Sequence, residues 1–192
     1  MFQSHNPNPD STSVKKFFID IFETFVSSIV VITVIYSTVA FPELVVGSSM
    51  EPNFYTGERI LVEKLSKHFV PIHRGDVVVL HPPGDDKTDF VKRVVGIPGD
   101  VVKLVDCRVY IKDGADSYMY VEDYLRDDTC TRGGDKVRDG RSIVIDKDSY
   151  LVLGDNREKS LDSRTFGLVK QDRIIGRVVY KFWPPTQMGF VD

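Results

Sequence analysis

The run TFVSSIVVITVIYSTVAFP, residues 24–42, carries no formally charged side chain. As an α-helix its 19 residues would reach about 28 Å at ~1.5 Å per residue, close to one hydrocarbon core. Many of them are β-branched, but a strand seldom exceeds ~10 residues and no turn residue divides the run into a hairpin. A membrane-spanning helix therefore outweighs a buried core helix. A cleaved secretory leader is the second rival, because Thr38-Val39-Ala40 loosely fits a small-x-small cleavage site. Against it, the apolar run is longer than the ~7–15 residues usual for a leader.

Working toward the amino end, FFIDIFE is preceded by Lys15 and Lys16, and before them lies the aperiodic, Pro/Asn/Ser-rich text MFQSHNPNPDSTSV. Residues 1–14 are expected to be an unstructured arm and residues 15–42 an anchor helix. The lysines put the amino end in the cytoplasm by the positive-inside rule, in which Asp20 and Glu23 count little. The remainder of the chain then lies on the far side of the membrane.

Working the other way, residues 43–192 hold no second long apolar run. They offer RILVEKL (59–65), GDVVVLHPP (75–83), DFVKRVVGI (89–97), DVVKLVDCRVYI (100–111), SIVIDKDSYLVLG (142–154) and RIIGRVVYKFW (173–183). Gly-Asp pairs open two of these segments, and Pro82-Pro83 and Pro98-Gly99 mark turns. No 3.6-residue stripe competes over such lengths. The expected fold is mostly β, a folded sheet or partly open barrel behind one transmembrane helix. Residues 112–141, rich in Asp, Gly and Arg, read as a surface excursion.

Composition excludes several chemistries. Lys and Arg number 25 against 28 Asp and Glu, a net charge of −3, which gives no basic excess for phosphate contacts, so no nucleic-acid partner is expected. The mean hydropathy of −0.14 is that of a soluble protein only because a polar domain outweighs one span. His5, His68, His73 and His81 form no HExxH pattern, and neither a phosphate-binding GxxxxGK[ST] loop nor a GxGxxG is present. Glu51 stands where a GxSxG elbow around Ser49 would need its second glycine. No metal or cofactor is expected. The two cysteines, Cys107 and Cys130, are 23 positions apart, and sequence leaves a disulfide and two free thiols equally open.

Three local texts remain: GSSMEP (47–52), KRVVGIPGD (92–100) and GDNREKSLDSRTFG (154–167). In β alternation Phe90, Lys92 and Val94 share one face while Val91, Arg93 and Val95 share the other, so one of the two cations faces inward. A buried lysine loses its proton more readily, because desolvation disfavours the ammonium. The neutral amine can then serve a serine hydroxyl as general base, which a permanently protonated arginine cannot do. Lys64 in ILVEKL meets the same requirement, and periodicity does not choose between it and Lys92.

Taken together and in order behind a membrane span, the texts VVGSSMEPNFYTGERILVEKL, RGDVVVLHPP, DFVKRVVGIPGD and LGDNREKSLDSRTFG resemble type I signal peptidases, membrane-anchored serine peptidases with a Ser–Lys dyad. The ordered boxes span about 43–104 and 150–185, the last of them weakly through RIIGRVVYKFWPP. The resemblance implies Ser49 as nucleophile, Lys92 as general base and Ser160 as a hydroxyl orienting the lysine. It implies Asp155, Asn156, Asp162 and Arg164 as supports of the site. Many relatives carry a hydroxyl residue two positions before the nucleophile. Here Gly47 stands there, leaving the oxyanion hole to the Ser49 N–H with Ser48 as a further candidate.

The implied function is removal of leader segments from exported pre-proteins through an acyl-enzyme, by an enzyme of the plasma membrane whose partners are signal-peptide-bearing pre-proteins, the lipid bilayer and the neighbouring export machinery. A self-cleaving repressor-type Ser–Lys peptidase is opposed by the span and by the absence of a DNA-binding amino domain. A catalytically silent, membrane-anchored β module that binds exported peptides is the alternative from a different class.

Overall fold

The computed structural model describes residues 11–114 and 116–191. It divides into two compact units, residues 1–39 and 40–192, so the expectation for an arm at residues 1–14 falls mostly outside the described residues.

The described residues of the first unit form one helix, α1 (Ser11–Thr38). Its Ser13–Tyr36 stretch of 24 residues contains an 18-residue window with a mean hydropathy of 2.1 and is long and apolar enough to cross a membrane. Several of its hydroxyls are satisfied within the helix: Thr24, Ser28, Thr33 and Thr38 each donate to the carbonyl four residues back, at 2.7–2.8 Å. Such back-bonding lets hydroxyl residues sit in an apolar medium without unpaired donors. The helix ends at Thr38 instead of running to Pro42. Proline disfavours helical backbone in the residue before it, and Ala40–Leu44 form the first strand, β1.

The second unit is β-rich. Its larger, curled half-barrel sheet runs in the order β1 (Ala40–Leu44), β2 (Arg59–Glu63), β11 (Ile174–Trp183), β3 (Val77–Leu80), β4 (Phe90–Gly96), β9 (Ser149–Leu153) and β10 (Val169–Lys170), with β12 (Gly189–Phe190) added to β11. A smaller sheet has the order β7 (Asp116–Met119), β6 (Arg108–Asp113), β5 (Val101–Val105), β8 (Ser142–Val144). Every pairing is antiparallel. Pro42, which has no N–H to donate, is tolerated because β1 is an edge strand.

Three apolar clusters fill the domain, and the strands at its centre are covered on both faces. Val77 and Val79 of β3 enter one cluster while Val78 and Leu80 enter another; Leu151 and Leu153 of β9 likewise part from Tyr150 and Val152. That is why VVVL and YLVL are continuous apolar runs and not alternating ones. The same double cover overturns one expectation for β4. Lys92 and Arg93 are both buried, each 3 % exposed, instead of one facing in and one out.

Two segments taken as continuous are each divided by a turn: 100–111 is a hairpin, and 142–154 passes from the smaller sheet to the larger one. β5 and β6 join through Asp106-Cys107, both left-handed at φ 49° and 63°, the geometry of a two-residue type I′ turn. β8 and β9 are separated by a turn in which Ser149 N–H donates to the Asp146 carbonyl at 3.1 Å and Asp148 is left-handed. Cys107 and Cys130 form a disulfide with Cα atoms 4.4 Å apart, which closes the alternative of two free thiols.

Candidate active site

Ser49 sits in the loop between β1 and β2, and its two flanks hold it there. Val45 and the side chain of Met50 are buried in the cluster that also contains Phe54, Ile60 and Val62. Thr56 Oγ1 accepts from the Gly47 N–H and donates to the Gly47 carbonyl, both at 3.0 Å, while Phe54 N–H donates to the Met50 carbonyl at 2.9 Å. With both neighbours fastened, the serine cannot drift. Gly47 is left-handed at φ +96°, and a Cβ built on it would meet nothing within 4 Å. The obstacle to a hydroxyl residue at this position is backbone strain, not lack of room.

β4 brings Lys92 to this loop across 43 positions of sequence. Lys92 Nζ donates to Ser49 Oγ at 2.8 Å and to the Val91 carbonyl at 2.9 Å, and lies 5.0 Å from the centre of the Phe90 ring. Burial lowers its pKa from 10.5 to about 8, against the opposing pull of the Asp162 and Asp155 carboxylates. Lys64, the competing lysine, instead lies over the Phe41 ring at 4.6 Å.

The turn after β9 closes the site from the other side. Asn156 N–H donates to the Ser49 carbonyl at 3.0 Å. Gly154 packs so tightly that a Cβ there would collide with the Ser49 carbonyl and the Ser160 side chain. Asp155 is held by a two-pronged ion pair with Arg93 at 2.9–3.0 Å and accepts from Asn53 Nδ2 at 2.8 Å. Asp162 caps the short helix α2 (Ser163–Phe166), accepts the Gly154 N–H at 3.0 Å, and pairs with Arg164 through both oxygens at 2.8 Å. The carboxylates are thus pre-paired, and neither bonds Lys92 directly.

One expected contact is not made. Ser160 Oγ is buried beside Gly154 but has no hydrogen-bond partner, so it does not orient Lys92 in this arrangement. Lys92 Nζ is instead bonded to Ser49 Oγ and the Val91 carbonyl. Sequence reasoning also passed over Arg93, Asn53 and Arg157. Arg93 was set aside as unable to be a base. The other two have partners some 100 and 35 positions away, which no local pattern reveals.

Ser49 and Lys92 line a cleft of ≈ 480 Å³ bounded on one side by residues 43–50 and on the other by Lys87 and Asp89–Lys92, with Lys159 and Leu161 at its rim. Both walls are strand edges. β4 pairs with β9 only from Arg93 onward, so Phe90–Lys92 have a ladder partner on the β3 side alone, and β1 pairs only with β2. Among the described residues the Ser49 N–H donates to no protein acceptor, and no group of three or more His, Cys, Asp and Glu could hold a metal. A serine hydroxyl, a buried amine of lowered pKa, a free backbone donor and two unpaired strand edges can accommodate an extended peptide and attack its carbonyl.

Comparison with known proteins gives the family. The sequence profile of the family described as "Signal peptidase, peptidase S26" matches residues 18–183. Signal peptidase IB of Staphylococcus aureus (strain MRSA252) is 36% identical over 169 residues, covering 84% of this chain and 87% of that protein. Signal peptidase I of Leptolyngbya laminosa is 36% identical over 169 residues, covering 84% and 78%. A crystal structure of a signal peptidase I from Enterococcus faecalis V583 is similar to 56% of this chain and 96% of its own, with 28% identity and a TM-score of 0.45. With the profile spanning most of its length and relatives matched along more than three quarters of theirs, the chain belongs to the type I signal peptidase family and is a serine endopeptidase.

Proposed function

We propose that this signal-peptide-cleaving peptidase works through a Ser49–Lys92 dyad, on substrates presented at the membrane to which α1 anchors it. The observation that carries the mechanism is the 2.8 Å contact between a buried lysine amine and the serine hydroxyl on the wall of the cleft. In its neutral form the amine keeps two hydrogens and one lone pair. One hydrogen stays on the Val91 carbonyl, and the lone pair accepts the Ser49 hydroxyl proton.

Ser49 Oγ then attacks the scissile carbonyl while Lys92 Nζ takes the proton, and the free Ser49 N–H meets the developing oxyanion. The resulting ammonium returns that proton to the leaving amine, which departs as the new amino terminus of the mature protein. The leader remains as an ester on Ser49 Oγ. Lys92, neutral again, takes a proton from the water that attacks the ester carbonyl and gives it to Ser49 Oγ as that bond breaks, releasing the leader as a carboxylic acid and restoring the hydroxyl and the neutral amine. Asp155, Asn156, Asp162 and Arg164 support this chemistry by holding the 154–164 segment against the Ser49 carbonyl.

The substrate binds as an extended strand between the free edges of β1 and β4, so that main-chain bonds give affinity without demanding a sequence. Small side chains at −1 and −3 suit such a mode. Self-satisfied hydroxyls in α1 and the lysines at its start support a single-pass anchor with a cytoplasmic amino end and an extracytoplasmic peptidase domain.

Purified Ser49→Ala and Lys92→Ala proteins should each lose cleavage of a pre-protein by about 10⁴-fold or more while keeping the far-UV circular dichroism of the parent. Cleavage retained by Lys92→Ala would overturn the assignment of the base.

A further inference from the structure

The excursion read from sequence as surface text reaches the candidate active site, and it does so through Arg157. This side chain is 3 % exposed and folds back over its own turn, donating from Nε to the Gly154 carbonyl at 3.1 Å. Its outer nitrogens grip Glu122 from both sides, with Nη1 to Oε2 at 2.9 Å and Nη2 to Oε1, and Nη1 also reaches Thr131 Oγ1. Glu122 is fixed in turn by the Tyr124 hydroxyl at 2.5 Å. The Tyr124 ring lies 4.0 Å beneath the Arg93 guanidinium that clamps Asp155. The Tyr124 carbonyl accepts from Asn53 Nδ2 at 2.8 Å, the same nitrogen that donates to Asp155.

These anchors all lie between β7 and β8, in residues that belong to no sheet. They are tied to the smaller sheet at two points. Tyr120 N–H donates to the Val109 carbonyl at 2.8 Å, and at the other end Cys130 is bonded to Cys107 while Thr131 N–H donates to the Cys107 carbonyl at 3.0 Å. Thr131, which takes Arg157, directly follows the bonded cysteine. Without the disulfide that end rests on single hydrogen bonds. A buried guanidinium that loses its carboxylate is strongly disfavoured, so displacement of Glu122 would draw Arg157 outward, with the turn whose Asn156 N–H holds the Ser49 carbonyl.

We propose that residues 120–131, stapled by the Cys107–Cys130 disulfide, brace the Gly154–Arg157 turn against Ser49, with Glu122 and Arg157 as positioning residues for the reaction. This rests on Ser49 being the nucleophile. A shift of about 1 Å in such a turn is enough to cost up to about a hundredfold in rate, and it acts on the reacting geometry more than on the strand edges that bind substrate.

The test compares three forms of the full chain: wild type, the Cys107→Ser/Cys130→Ser protein, and Glu122→Gln. Wild type is also treated with a water-soluble phosphine, which reaches the exposed Cys107; phosphine, disulfide and water give phosphine oxide and two thiols. The expected result is a kcat about tenfold lower in the reduced, disulfide-free and Glu122→Gln forms, with KM within twofold and faster amide exchange at residues 154–158. Adding Glu122→Gln to the disulfide-free protein should lower kcat by less than a further twofold, because both changes release one brace. A folded disulfide-free protein with kcat within twofold of wild type overturns the proposal, and so do fully multiplicative effects. Absence of cleavage by wild type would overturn the Ser49–Lys92 reading instead, and unchanged exchange at 154–158 in the disulfide-free protein would overturn the brace independently of activity.

Discussion

A buried lysine is a liability for the fold, and the base proposed at Lys92 shows both sides of that bargain. Burial strips hydration from its ammonium and brings its pKa to about 8. Only about a tenth of the enzyme then carries the neutral amine at pH 7. Initial rates on a peptide substrate should therefore give a kcat/KM that rises with pH along a one-proton limb with its midpoint near 8; a limb centred below pH 6 would reject Lys92 as the titrating base. The same shift has a stability consequence of fixed sign. Because the folded-state pKa lies below the unfolded value, the unfolded chain binds the extra proton between about pH 8 and 10.5. The destabilisation is complete below pH 8 and is relieved as pH rises toward 10.5. Lys92→Met should accordingly be more stable than wild type by about 2–3 kcal/mol at pH 7, the gap closing toward pH 10, as measured by urea titration at a series of pH values.

Individual elements explain why so much of the site depends on unremarkable residues. Ser49 is carried by a loop pinned mainly by apolar side chains, of which Met50 at 1 % exposure is the plug. Met50→Ala should cost about 2–5 kcal/mol of unfolding free energy and lower kcat as well, because the released loop carries the nucleophile; thermal melts and single-turnover rates would separate the two effects. The strands that form the large sheet were legible in the sequence, since RILVEKL, VVVL, FVKRVVG and the YLVL run each read as β and each became β. Ser49, Lys92 and the paired acids could be picked out because their boxes resemble a known family. What the sequence hid has physical causes. The Asp106-Cys107 turn lacks the Asn-Gly text that type I′ geometry favours, so one hairpin looked like one strand. The first three residues of β1, Ala40, Phe41 and Pro42, were absorbed into the membrane run because they continue it without a charge, and only pairing with β2 distinguishes them. Arg93, Asn53, Tyr124 and Arg157 do their work through partners distant in sequence, and Ser160 could be named but its missing bond to Lys92 could not.

At the scale of the whole molecule, two units with separate stabilities are joined by a connection one residue long. The β unit has three apolar clusters of its own, with no residue of α1 in any of them, so its core does not depend on the helix. The boundary is nevertheless narrow: β1 begins at Ala40, two residues past the helix, and its pairing of Phe41 with Val62 and Pro42 with Leu61 forms one edge of the sheet that walls the cleft. A chain cut before Ala40 should therefore fold and cleave a short soluble peptide with kcat/KM within about threefold of the full chain, whereas a cut after Leu44 removes a wall of the cleft and should abolish both. If α1 serves to confine the enzyme to the bilayer where leaders emerge, the shorter cut should still cost at least about tenfold on a pre-protein embedded in lipid vesicles, because it exchanges a raised local concentration for a three-dimensional search. Equal rates of the two proteins on vesicle-bound pre-protein would reject the anchor's role in catalysis and leave the dyad untouched.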